Sequence, residues 1–188
     1  MIAILLNDAS FEQDIRELLM AFYPGETFTH KEEEAGEAEL IVRGVRDGNS
    51  FSLDVTPVKK EAVHFALIYP DFSNRFETKN EIKQTLYRLL SAQTGRELPW
   101  GTLTGIRPTK IALTKLYDGW TDEQIETYMR ETYFTSKEKI DLSIDVAERE
   151  RRLLSTIDYE NGYSLYVGIP FCPTTCLYCS FTSYPLVS

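Results

Sequence analysis

Residues 40–56 read LIVRGVRDGNSFSLDVT, two strand-like runs, Leu40–Arg46 and Phe51–Thr56, on either side of Asp47-Gly48-Asn49-Ser50. Gly and Asn tolerate positive φ, so the residues between the runs signal a hairpin. Downstream, Val63, Phe65, Leu67 and Tyr69 alternate with period two and predict a further strand. Upstream, Ile2–Leu6 is a short apolar run suited to a buried strand, and Thr27–His30 is a candidate for another. Two helices complete the pattern. Ile15, Leu18, Leu19 and Phe22 share one face of a helix that ends at the Pro24-Gly25 turn, with Ser10 and Gln13 as its capping box. Ile82, Leu86, Leu89 and Leu90 mark a second face ending near Gly95, with Thr78 and Glu81 as its box. Between the strands, KEEEAGEAE at 31–39 reads as a solvated loop without a function, because like charges repel and hydrate. Residues 1–95 are therefore expected to form one α+β domain, a small mixed sheet with helices.

From Leu98 the character changes. Pro99, Gly101, Gly105 and Pro108 punctuate a connection, and Pro108 suits the first position of a helix. Thr121 with Gln124, and Thr135 with Glu138, signal two more helices, the last running to about Thr156. Residues 96–160 thus read as a helical connecting region. Asp158–Tyr163 makes a turn, and in the third part, 161–188, Ser164–Ile169 reads as a strand feeding Pro170, Phe171 and the first cysteine. Trp100 and Trp120 read as packing residues at element ends.

The chain has 188 residues, 43% hydrophobic and 26% charged, enough to bury a core of ordinary composition. Twenty Lys and Arg against 29 Asp and Glu give a net charge of −9, which argues against a nucleic-acid or anionic-membrane surface. Any anion site must be local. The N-terminal residues carry no basic leader or long apolar run, so a cytoplasmic location is expected.

All three cysteines fall within eight residues, Cys172, Cys176 and Cys179, in YVGIPFCPTTCLYCSF at 166–181. An odd count argues against a disulfide framework, and the grouping reads as a ligand set. Thiolates are soft ligands suited to Fe-S clusters, Zn and Cu(I). Three of them on a 4Fe-4S cubane leave one iron open to an external molecule. A structural zinc site needs a fourth ligand, which could come only from His30 or His64 if it is a histidine, and the paired ligand knuckles are absent. A redox pair at Cys176 and Cys179 leaves Cys172 unexplained. A second candidate is Gly105-Ile106-Arg107-Pro108-Thr109-Lys110, where a helix start and two cations would suit a carboxylate-bearing ligand, or else make local salt bridges.

The spacing CxxxCxxC with an aromatic residue before the third cysteine resembles the signature of radical S-adenosylmethionine enzymes. YVGIPFCPTTCLYCSF together with ELPWGTLTGIRPTK at 97–110 looks like the oxygen-independent coproporphyrinogen III oxidase group, in its N-extended Gram-positive variant, over roughly residues 85–188. The resemblance implies that Cys172, Cys176 and Cys179 hold a 4Fe-4S cluster and that Tyr166 and Tyr178 contact S-adenosylmethionine. It implies reductive cleavage of S-adenosylmethionine to a 5'-deoxyadenosyl radical. Two propionates of coproporphyrinogen III then lose CO2 to become vinyls, with electrons from an unidentified donor. It also implies that 161–188 is the first strand and cluster loop of a partial (β/α) barrel. Too few residues follow Cys179 for the remaining barrel units, so the chain is expected to be an N-terminal piece, inactive alone. Gly168 and Phe181 stand where the best-known members carry His and a further Cys. That pattern suits the N-extended variant and also haem-binding, chaperone-like relatives or an accessory binding module.

Overall fold

The computed structural model describes residues 1–58, 63–105, 107–158, 161–173, 176, 177, 179–181, 184 and 185. The chain divides into two compact units, Met1–Arg151 and Arg152–Ser188.

In the first unit the hairpin forms where the sequence signals it. β1 (Ile2–Leu6) and β2 (Phe28–Thr29) precede β3 (Leu40–Asp47) and β4 (Ser50–Pro57), which pair antiparallel from Leu40↔Pro57 to Asp47↔Ser50. Gly48 takes φ +58° in the turn, the left-handed region that glycine enters without a Cβ clash. β5 (His64–Ile68) adds antiparallel to β4, while β1 lies parallel to β3 and β2 parallel to β1. The result is a mixed sheet in the order β2-β1-β3-β4-β5. The fold is α+β.

Alternation decides what each strand buries. Ile2, Ile4, Val42, Phe51, Leu53 and Val55 enter a core closed by α1 (Glu12–Phe22) and α2 (Arg75–Thr94). The helices contribute the predicted faces, Ile15, Leu18, Leu19 and Phe22 from α1 and Ile82, Leu86 and Leu90 from α2, all fully buried. Ala3 and Leu5 face the other way, against Ala35 and Ala38. β1 is apolar throughout because both its faces are covered. The acidic stretch is accordingly more than a solvated loop: Glu32–Glu37 forms a 3-10 helix that sets Ala35 over β1 and leaves its carboxylates outward.

Two further expectations, both helix caps, need correction, and β5 shows a face that alternation left open. The period-two reading of β5 holds, but Phe65 and Leu67 point outward, opposite Asp54 and Ser52, while Ile68 reaches the core beside Phe51. Ser10 is not the cap of α1. Asp8 caps a preceding 3-10 turn, Ala9–Phe11, by accepting the Ser10 N–H at 2.9 Å, and Gln13 reaches Glu17 instead. Asn74 rather than Thr78 caps α2, accepting the Phe76 and Glu77 N–H groups, while the Thr78 hydroxyl donates to the Asp71 carbonyl at 2.7 Å. Asx residues before a helix outcompete the box pattern when the chain turns one element earlier. Gly95 ends α2 at φ +68°, as expected.

A second core gathers α3 (Thr109–Tyr117), α4 (Asp122–Tyr133) and α5 (Lys137–Leu154) around Ala112, Leu116, Ile125, Met129, Ile140 and Ala147. Pro108 stands just before α3. Thr121 and Gln124 make both halves of the predicted capping box. Before α5 the partner is Ser136, whose Oγ accepts the Lys139 N–H at 3.4 Å, and not Thr135, which is buried with its Oγ1 unpartnered. Trp120 packs on Tyr128 with ring centroids 5.6 Å apart. The segment before α3 is fastened to the end of α4: the Thr102 N–H donates to the Tyr133 carbonyl at 2.7 Å and the Ser136 N–H to the Pro99 carbonyl at 2.9 Å. Gly101 sits in this crossing at φ +56°, where a Cβ would overlap the Tyr133 carbonyl oxygen.

Candidate metal centre

The second unit carries all three cysteines. Ser164–Ile169, expected as a strand, makes no ladder among the described residues, and Leu165, Val167 and Ile169 are exposed. Apolar side chains alone do not make a strand, because its N–H and C=O groups need a neighbour to bond. The first pairing comes two residues later. β6 (Phe171–Cys172) runs parallel to β7 (Tyr184–Pro185), with Phe171 opposite Tyr184 and Cys172 opposite Pro185. The Tyr184 N–H donates to the Pro170 carbonyl at 2.7 Å, and the Phe171 and Tyr184 rings lie 6.1 Å apart. This ladder fixes the backbone at the first cysteine.

The other two cysteines share one turn. The Cys179 N–H donates to the Cys176 carbonyl at 2.9 Å, closing the CxxC segment, and the Cys179 thiol lies 3.9 Å from the Phe181 carbonyl oxygen. All three cysteines are free; Cys176 is exposed and Cys172 and Cys179 are half-buried. Among the described residues, no three His, Cys, Asp or Glu side chains stand together as a ready-made metal site. Thiolate sites of this kind are organised by the metal they bind. The donor chemistry fits an iron-sulfur cluster: three accessible soft donors, none consumed by a disulfide, on a loop held at one end by a ladder and at the other by a turn.

Of the two tyrosines singled out in the sequence, Tyr166 is 83% exposed, and Tyr178 lies outside the described residues. His30, one of two histidines considered for zinc, bonds the Glu12 carboxylate through Nε2 at 2.8 Å, and His64 opens β5.

A chain ending in such a loop is similar, over 135 residues, to an oxygen-independent coproporphyrinogen-III oxidase-like protein. That relative is HemZ of Bacillus subtilis (strain 168), 36% identical over a stretch that takes in 70% of this chain and 26% of HemZ. The chain is similar to HemZ over this stretch, and it spans about a quarter of the length of the curated relative it matches. No family model matches the chain, and no solved structure matches it.

Proposed function

We propose that this chain belongs to a radical S-adenosylmethionine enzyme of haem biosynthesis, in which Cys172, Cys176 and Cys179 hold a 4Fe-4S cluster by three of its irons. The observation that carries the reading is the CxxxCxxC loop itself, with three free thiols and no fourth cysteine, in a chain similar to an oxygen-independent coproporphyrinogen-III oxidase-like protein. When bound, such a cluster supplies the electron for reductive cleavage of S-adenosylmethionine at its open iron. Tyr166 and Tyr178 are the side chains assigned to S-adenosylmethionine; an aromatic ring gives a flat apolar contact with a polar tip. The substrate is coproporphyrinogen III, decarboxylated at two propionates to vinyls, and the setting is cytoplasmic. Residues 1–95 and 96–160 act as an α+β domain and a helical connection leading to the cluster loop. No helix among the described residues is long and apolar enough to cross a membrane.

The test is anaerobic isolation of the intact polypeptide that contains this chain, with iron and acid-labile sulfide measured before and after each Cys→Ser substitution. About four irons per chain, lost in all three single variants, support the assignment. Unchanged iron in any of them overturns it. Protoporphyrinogen formation assayed beside haem binding then separates oxidation from haem handling.

A further inference from the structure

A cavity of about 490 Å³ opens within the first unit, among α1, α2, residues 102–105, Arg107 and Pro108, α3 and α4. Its volume is in the range of small-molecule sites. Five cations line it: Lys79 and Lys83 from α2, Arg107 and Lys110 at the start of α3, and Lys115 one turn on. Two carboxylates, Asp14 and Glu17 of α1, stand against them. In a chain of net charge −9 this is a local reversal of sign.

Lys83 is the telling member. Its side chain is 7% exposed, and burial pushes its ammonium below the usual lysine range, opposed by Asp14 and Glu17. Nζ donates to the Thr104 hydroxyl at 2.9 Å, and that hydroxyl donates on to Glu17 Oε2 at 2.9 Å. Among the described residues this is the one hydrogen bond the ammonium makes, so a lysine that lines the cavity has donor capacity that no protein acceptor there uses. A buried ammonium is costly unless acceptors meet its donors. Arg107 is engaged by Glu150 at 2.8 Å, but Lys79 and Lys110 make no ion pair among the described residues. Lys115 lies over the Trp120 and Tyr128 rings at 4.2 and 5.0 Å, which holds its charge at the cavity wall. Leu103, Ile111 and Tyr128 give the wall an apolar stretch beside the cations.

We propose that this cavity binds a small organic molecule bearing two or more anionic groups, carboxylate or phosphate, on an apolar body. The anionic groups sit against Lys79, Lys83 and Lys110, with one oxygen accepting from Lys83, and the body lies along Leu103, Ile111 and Tyr128. Every lining residue belongs to the first unit, so the Cys→Ser variants test the cluster assignment and the lysine variants test this site.

The experiment is calorimetric titration of the full chain with benzene-1,3,5-tricarboxylate, inorganic pyrophosphate and the neutral benzene-1,3,5-trimethanol. Saturable binding of either anion, weakened about tenfold or more by Lys79→Gln and by Lys110→Gln and unaffected by Lys31→Gln, supports the proposal. Preference for the tricarboxylate or for pyrophosphate tells which anionic group the site takes. Lys79 is half-buried and Lys110 exposed, so both variants are expected to fold. Binding of neither anion, binding insensitive to Lys79→Gln and Lys110→Gln, or equal binding of the neutral triol overturns it.

Discussion

The hydroxyl of Tyr87 accepts the backbone N–H of Leu98 at 2.9 Å. Tyr87 is buried in α2 with its ring 5.4 Å from Phe22 and 5.5 Å from Phe134, so one side chain joins the sheet-side core, the end of α4 and the connecting segment. Tyr87→Phe keeps the ring contacts and leaves the Leu98 N–H without its partner. The expected loss is about 1 kcal/mol of unfolding free energy, read from urea denaturation at an unchanged m value. A loss near zero would mean that solvent replaces the tyrosine at that N–H.

Gly101 and Gly119 both have positive φ, +56° and +81°, but only Gly101 faces a neighbouring backbone. Gly101→Ala must strain φ and also push the Tyr133 carbonyl away, at a cost of about 3 kcal/mol or more. Gly119→Ala meets nothing within 4 Å and costs about 1 kcal/mol. Thermal unfolding of the two variants side by side checks the difference, and equal shifts would refute the crossing as drawn.

Asp8 supplies a pH dependence. The Ser10 hydrogen bonds, and then Arg46 at 3.1 Å, hold its carboxyl below the usual value of 3.8. The folded state thus favours the ionised form. The stabilisation is complete above the unfolded-state value and disappears as pH falls through the lower, folded-state one. Asp8→Asn is therefore less stable than the parent chain at neutral pH, and the gap closes as pH is lowered below about 4. Unfolding curves from pH 7 down to about 3 measure it; a gap independent of pH would assign the effect to the turn alone.

The cysteines are expected to be separable from the fold of the first unit. Cys172, Cys176 and Cys179 all lie in Arg152–Ser188, outside both cores of Met1–Arg151. Replacing all three by serine should leave the thermal midpoint of the isolated apo chain within about 1 °C, since surface changes away from a core move stability little. A fall of several degrees would show that the loop supports the first unit.

Much of the first unit was legible because its signals are local. The Asp47–Ser50 turn, the Ile15–Phe22 and Ile82–Leu90 faces, the Thr121 box and the glycine at 95 each depend on residues within a few positions of one another. The caps expected at Ser10, Thr78 and Thr135 failed because the helical turns begin at other residues: Asp8, Asn74 and Ser136 accept the N–H groups of Ser10, of Phe76 and Glu77, and of Lys139, and the pattern of a box does not say where the turn starts. The outward face of β5 was invisible because register with β4, not alternation, chooses the buried side. The ligand set proposed for the three cysteines was read from their grouping and spacing and from the family resemblance. The cavity was only half legible. Arg107 and Lys110 stood out beside the glycine and proline, whereas Lys79 and Lys83, one helical turn apart on α2, belong to no motif and come to the cavity only through the fold, which buries one of them.

The arrangement of the sheet also sets an order of assembly. β3, β4 and β5 follow one another through short connections, while β1 meets β3 only after on the order of thirty intervening residues have been looped out. The meander from Leu40 to Ile68 can therefore close early, with β1 and α1 docking onto it afterwards. Substitutions at Val55 should slow folding, whereas those at Ile4 should chiefly hasten unfolding, a division that stopped-flow kinetics can read directly.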